Sequence, residues 1–305
     1  MIVSVCPNPC LDVYYYTSVL KEDDTNRVEN PLISPGGKGV NAARVISKLG
    51  GTPHLIAPIG GCIGRCVKEL LEDEGVFSIF IDVEGETRVN TILEQKGKGK
   101  HILIAAKGIS ISKSGTEKLK SAMETLNPDF MLLGGSVPPN FPDTFYGEVV
   151  KTLSHVKVMV DADGELLKNA VKSGAFAIKP NRFELERLVG RPLIDVADIV
   201  EASKEITEAG VEVVITSLGE FGAICTTREG SFRVIPPKVK VVNTVGAGDS
   251  LVGGFLYALD EEKSIEEAVK LGVACGTATV MKEGVKLADK RDVEEILPLV
   301  KVVRC

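Results

Sequence analysis

The sequence predicts an α/β fold: a doubly wound, mostly parallel sheet with helices on both faces, and a small β-sheet lid over it. Three observations carry this. From Ser114 onward short apolar strands alternate with helices, as in βαβ units whose parallel sheet is buried on both faces. Two glycine-rich turns, Ser34-Pro-Gly-Gly-Lys-Gly-Val-Asn41 and Val241-Val-Asn-Thr-Val-Gly-Ala-Gly-Asp-Ser250, each open an apolar helix. Early strands, at about 12–34 and 86–106, do not fit the alternation and so belong to a separate sheet. Residues 1–305 read as one domain, with that sheet inserted in the α/β core. A small sheet over the carboxyl edge of a large one makes a lid.

Taken in order, Ile2–Val5 is a buried strand, and Asp12–Thr17 and Asn26–Asn30 alternate like half-exposed strands. Gly36-Gly37 leads into a helix whose apolar residues Val40, Ala43, Ile46 and Leu49 lie three apart. His54–Ile59 is a strand, and Arg65–Glu74 a helix stopped by Gly75. After a turn at 84–86, Val89–Glu94 and His101–Ala105 form a hairpin across 96–100. Ser114-x-x-Glu117 reads as a capping box for a helix to Leu126. Strands then fall at Phe130–Leu133, Val156–Val160, Phe176–Ile178, Val211–Thr216 and Gly222–Thr226. Helices fall at Thr144–Leu153, Glu165–Lys172, Glu184–Val189 and Ala197–Ala209. Val239–Val242 ends a strand, followed by helices at Ser250–Leu259, Ile265–Met281 and Val293–Val300.

Composition narrows the function. Apolar residues make up 44% of the 305, enough for a sizeable core. A net charge of −6 disfavours a general nucleic-acid or anionic-membrane binder, while leaving room for a local basic site. No apolar run spans a bilayer, and the Met1–Asp12 stretch lacks the basic start of a signal peptide. Seven cysteines, several in apolar runs, are expected as free thiols in a reducing cytoplasm, and their spacing does not make a structural zinc site.

The two glycine turns carry the chemistry. A helix start leaves N–H groups unpaired and a positive dipole end, which suits phosphate or developing negative charge. Asp249 places a carboxylate at one such start; the plain alternative is a helix cap. Lys38 at the other is unfavourable for the dipole, so an anion is expected nearby. Asn41 lies one turn on and can face sugar hydroxyls. Asp12, in Asn8-Pro-x-x-Asp12, can accept from hydroxyls, or be a turn aspartate. Arg88 and Asn90 share a face of one proposed lid strand, and Arg27 lies on another. Asn181 and Glu184, in Lys179-Pro-Asn-x-x-Glu184, suit Mg²⁺ or, equally, a helix cap. Thr216-Ser-Leu-Gly219 offers hydroxyls and free backbone to a nucleotide, or is a plain turn. The sequence has no P-loop and no protein-kinase set, and its Gly246-Ala-Gly248 lacks the third glycine of a dinucleotide fingerprint.

Together these motifs resemble those of the ribokinase-like PfkB carbohydrate kinases, across essentially the whole chain. The Asn8-Pro-x-x-Asp12 turn, Lys38 and Arg88 resemble the branch acting on sugar phosphates, 1-phosphofructokinases and tagatose-6-phosphate kinases. The resemblance implies ATP and Mg²⁺ as cofactors and a homodimer paired through the lids, where Tyr14–Tyr16 would suit the contact. It implies Asp249 as catalytic base and the amides of Gly246, Ala247 and Gly248 as anion hole. It places Asp12, Gly37, Lys38, Asn41, Arg88, Asn90 and Ser136, with Arg27, at the sugar phosphate. It assigns Lys179, Asn181, Ser217, Gly219 and Gly248 to ATP, and Glu184 with Asn181 to the metal. Fructose 1-phosphate is the expected acceptor, with tagatose 6-phosphate or a 6-phosphofructokinase reaction as alternatives. A sensor that binds nucleotide or sugar phosphate without catalysis would have no use for the base. One departure stands out: relatives carry Asn and a Pro-Gly-Pro run after the lid hairpin, where this chain has Ile104-Ala-Ala-Lys-Gly-Ile-Ser110.

Overall fold

A computed structural model describes residues 1–21, 23–28, 31–95 and 100–305. In chain order the first elements are β1 (Ile2–Val5), β2 (Cys10–Thr17), β3 (Leu32–Gly36), α1 (Lys38–Leu49), β4 (His54–Ile59), α2 (Gly61–Asp73) and β5 (Ser78–Asp82). Then come β6 (Arg88–Gln95), β7 (Lys100–Ile104), α3 (Lys113–Leu126), β8 (Phe130–Gly134), α4 (Phe145–Thr152), β9 (Lys157–Asp161), α5 (Gly164–Lys172) and β10 (Ala177–Ile178). They are followed by α6 (Arg182–Val189), α7 (Val196–Glu208), β11 (Val213–Ser217), β12 (Ala223–Thr227) and β13 (Gly230–Ile235). The chain closes with α8 (Ala247–Asp260), α9 (Ile265–Thr279), α10 (Lys290–Ile296) and β14 (Lys301–Arg304).

Ten strands form one sheet in the order β14-β13-β12-β11-β10-β9-β8-β1-β4-β5. The strands from β5 to β11 are parallel, and β12, β13 and β14 continue the sheet antiparallel. Side chains alternate across this sheet, so neighbours such as Leu132 and Leu133 enter different cores. One core holds α1, α8, α9 and α10; the other holds α3 to α7. Because β1 lies between β8 and β4, the winding reverses there. Loops leaving the carboxyl ends of β1 and β8 diverge and open a crevice, the usual ligand position in such sheets.

The lid is a four-stranded sheet, β3-β2-β6-β7, with β2 and β6 parallel. Their register sets Cys10 opposite Arg88 and Asp12 opposite Asn90. On the opposite side of the crevice α8 packs between α1 and α9 through small residues. A Cβ at Gly253 would fall 2.8 Å from Ala42 O, and one at Gly272 2.6 Å from Leu251 O. Those glycines let the helix backbones approach closely, which fixes where the head of α8 sits relative to α1.

Several expectations need correction. Residues 26–28 are not a strand: Asn26 bonds Lys21 at both its N–H and its carbonyl, closing a side-chain turn, and the antiparallel partner of β2 is Leu32–Gly36. Glu29 and Asn30, and positions 96–99 of the hairpin turn, lie outside the described residues. The cap of α3 is Ser112, whose hydroxyl accepts from Gly115 N, rather than Ser114. Val239–Val242 is not a strand either. Val241 is exposed, and Val242 N and Asn243 N both bond Val280 O. Sequence periodicity overlooked β5, β13 and β14, of which β5 and β14 are the sheet's edges.

Candidate active site

A cavity of about 300 Å³ lies between the lid and the carboxyl ends of β1 and β8. Its lining includes Asn8, Asp12, Gly37, Lys38, Asn41, Arg88, Asn90, Ser136 and Asp249, so residues far apart in sequence converge on one site. The head of α8 has no side-chain cap, and its N-cap Gly246 has φ +78°, a conformation that favours glycine. The first-turn N–H groups are thus available to an anion. The head of α1 is likewise uncapped by a side chain, with Gly37 at φ +110°. Asn41 joins the two heads: its Nδ2 donates to Asp249 Oδ2 at 2.8 Å.

On the lid side, buried Asp12 accepts at Oδ1 from Asn90 Nδ2 at 2.9 Å and from Cys10 Sγ at 3.2 Å. Gly36 leaves room for the carboxylate in this position, since a Cβ there would fall 2.1 Å from Asp12 Oδ2. Asn8 Nδ2 donates to Ser136 Oγ and to the carbonyls of Lys107 and Val137, which ties the unusual 105–110 stretch to the β8 loop.

The charges form a linked set. Asp161, at the end of β9, is buried and accepts at Oδ1 from Lys38 Nζ at 2.8 Å, with Lys179 Nζ at 3.4 Å. Burial opposes its charge, but the two ammonium groups overcome that and hold its pKa below the usual carboxylate value. Burial likewise opposes the Lys38 charge, and the Asp161 carboxylate outweighs it, so the Lys38 pKa is raised. Asp249 behaves differently. Burial first, and then the Asp161 charge, push it up to about 6, offset partly by Lys38, the Asn41 hydrogen bond and Lys179. The anion that the position of Lys38 called for is therefore within the protein. Asp161 was missed in sequence, although an aspartate closing the apolar Val158-Met-Val160 run was a usable signal.

Arg88 lies at the cavity wall and spends Nε and Nη2 on Asn8 O and Nη1 on Ala106 O. Those partners are neutral, and among the described residues no carboxylate pairs with it. Three of the five guanidinium N–H groups are used, which leaves the rest, and the full charge, for a ligand. Arg27 does not join it: the residue is exposed, outside any strand, and does not line this cavity. Asn181 and Glu184 form a reciprocal capping box at the head of α6, the plainer of their two readings. Glu184 is still near enough for its charge to act on Lys38. Ser217 N bonds Pro180 O, which sets Ser217 and the turn at Gly219 (φ +60°) beside Asn181. Lys179 sits where a Cβ on Gly248 would be 3.4 Å from its Nζ. Tyr14 is buried and donates to Glu94, so it is part of the protomer's own packing.

The fold as a whole recurs in solved kinase structures. Phosphofructokinase-2 from Escherichia coli, in complex with substrates and products, superposes with a TM-score of 0.93 at 31% identity, over 98% of each chain. In sequence, residues 8–291 match the model of the pfkB family carbohydrate kinases. The 1-phosphofructokinase of Borreliella burgdorferi is 32% identical over 99% of this chain and 98% of its own. That of Bacillus subtilis is 33% identical over the whole of both. The chain belongs to the pfkB family of carbohydrate kinases. It is a phosphotransferase with an alcohol group as acceptor, in a family that uses ATP, typically with Mg²⁺.

The Asp161 cluster yields a stability test. A carboxylate whose folded pKa is depressed stabilises above its ordinary value of 3.8, and that contribution is lost as pH falls through the lowered one. Asp161→Asn should lower the unfolding free energy at pH 7 by about 2–4 kcal/mol, because two ammonium groups lose their partner. Urea titrations should show the gap narrowing below about pH 4. A loss under about 0.5 kcal/mol at pH 7 would contradict the pairing.

Proposed function

We propose that the protein transfers the γ-phosphoryl group of ATP to the free primary hydroxyl of a phosphorylated ketohexose. Fructose 1-phosphate is the acceptor and fructose 1,6-bisphosphate the product. The observation that carries this reading is the Asp249 carboxylate in a sugar-sized cavity, beside the uncapped head of α8. Such a carboxylate can take the proton of a hydroxyl as it attacks, while neighbouring N–H groups meet the negative charge of the moving phosphoryl group.

The other residues fall into roles by chemistry. Asp12 and Asn90, already bonded to one another, and Asn41 offer acceptors and donors to the sugar hydroxyls. Arg88, charged and without an acidic partner among the described residues, faces the acceptor's own phosphate, with Ser136 and Lys38 nearby. The amides of Gly246, Ala247 and Gly248 form the anion hole. Lys179, Ser217 and Gly219 serve the nucleotide phosphates. Mg²⁺ arriving with ATP neutralises phosphate charge, and oxygens of Asn181 and Glu184 would hold its hydration shell. The donor chemistry, an amide and a carboxylate, fits a hard, hydrated cation, and Asp161 Oδ2, buried beside Lys38 and Lys179 without a hydrogen-bond partner among the described residues, is a further unused oxygen of the charged cluster.

The names of the two bacterial relatives above support fructose 1-phosphate; an Escherichia coli relative named ATP-dependent 6-phosphofructokinase isozyme 2 keeps a 6-phosphofructokinase reaction in view. Tagatose 6-phosphate offers the same phosphate and primary hydroxyl at opposite ends. A second copy of the chain is the partner that suits the lid, where Ile33, Ile102, Leu103 and Ile104 are exposed.

The base assignment predicts that kcat is flat above neutrality and falls as pH drops through about 6, where Asp249 gains its proton. Asp249→Asn should lower kcat by roughly 10² or more and change the KM for ATP little; near-normal turnover would refute the base. Arg88→Ala should cost about 2–4 kcal/mol in kcat/KM for fructose 1-phosphate and leave any weak activity on fructose nearly unchanged. Equal losses on both acceptors would sink the phosphate contact. Sedimentation should show a dimer that Ile104→Glu weakens, and a monomer at all concentrations would remove the lid pairing.

A further inference from the structure

We propose that Arg44 is a positioning residue for Asp249: it fixes the amide of Asn41 so that Nδ2 faces the carboxylate. The inference rests on the reading of Asp249 as the base, and it adds a residue that touches neither substrate nor reacting atoms.

Arg44 lies on α1, one turn after Asn41, and is 4% exposed. Nε and Nη2 form a fork on Glu74, with distances of 2.8 Å to Oε2 and 2.7 Å to Oε1. Nη1 donates to Pro35 O at 3.0 Å and to Asn41 Oδ1 at 3.2 Å. A guanidinium has donors only, so the amide oxygen of Asn41 must be the atom that faces it. The amide nitrogen is then left for Asp249 Oδ2, 2.8 Å away. Turning the amide over would set its NH₂ against the guanidinium and its oxygen against the carboxylate, losing both bonds and creating two repulsions. Rotation of Asn41 is thereby suppressed, and Asp249 receives a fixed donor from the α1 side.

A structural ion pair would need Glu74 alone. Here the same guanidinium also holds the carbonyl of the glycine turn and the amide that reaches the carboxylate. Its own charge is met by Glu74, whose pKa is lowered despite burial, chiefly by the Arg44 hydrogen bond. The charges that face Asp249 directly are Lys38 from α1, Asp161 from the end of β9 and Lys179 beyond β10. Arg44 acts on it through the amide.

Carbon-13 NMR titration of carboxyl carbons reads this without turnover, with the Asp249 signal assigned by its loss in Asp249→Asn. Wild type, Arg44→Met, Asn41→Ala and the double variant form the cycle. Arg44→Met should raise the Asp249 pKa by about one unit, since the hydrogen bond to the charged form is no longer held. In the Asn41→Ala background the same change should add nothing, because the amide it would orient is gone. Arg44→Lys keeps the charge without the fork and should not restore the wild-type value. If Arg44→Met fails to fold, Arg44→Lys takes its place in the cycle, with the same non-additivity expected. An unchanged Asp249 pKa in the folded Arg44 variant, or an equal shift in both backgrounds, would overturn the proposal. A protein that titrates as stated yet phosphorylates no sugar would refute the kinase reading and leave this one standing.

Discussion

The heads of α1 and α8 meet through the hydrogen bond from Asn41 Nδ2 to Asp249 Oδ2, between residues 208 positions apart. That bond requires the two helices to come close, and the glycines on α8 permit it: a side chain at Gly253 would strike the backbone of α1 at Ala42. Each head is also a glycine turn without a side-chain cap, so each leaves N–H groups facing the crevice. The crevice exists because the sheet winds in opposite directions from β1. Sheet topology, helix packing and helix ends thus place one carboxylate between two anion-ready turns.

Charge is divided unevenly around that carboxylate. Lys38 and Lys179 share Asp161, which neutralises part of their field and adds its own repulsion to Asp249. Without Asp161 the two lysines would draw the Asp249 pKa down, against the burial that chiefly raises it. Arg88 is bonded only to carbonyls, so its charge stays available at the lid end of the cavity. The site therefore has a basic end for a dianion and a moderated end for proton transfer, within a chain whose net charge is −6.

Much of this was legible in the sequence, for identifiable reasons. The glycine turns were visible because a positive φ at Gly37 and Gly246 leaves a compositional mark. The parallel sheet was visible because strands buried on both faces are continuously apolar. Edge strands were not: β14 follows a helical run directly, and Ser78–Asp82 is half-buried, so neither has a clear pattern. Val241 and Val242 look like strand residues, yet both are left exposed, and it is Val242 N and Asn243 N that bond the Val280 carbonyl at α9's exit. Asp161 and Arg44 were hidden for another reason. Their importance lies in partners 123 and 30 residues away, which spacing along the chain does not reveal. Arg27 differs from its expected strand position: it lies in an exposed segment outside any strand, because Asn26 closes a side-chain turn onto Lys21 there.

The most direct measurement is phosphorus-31 NMR of the purified protein with ATP, Mg²⁺ and fructose 1-phosphate, followed in time. The account predicts a second sugar phosphomonoester signal growing in step with ADP, at a kcat/KM far above that for fructose. Release of inorganic phosphate without a new sugar phosphate, or an equal rate on unphosphorylated fructose, would contradict it.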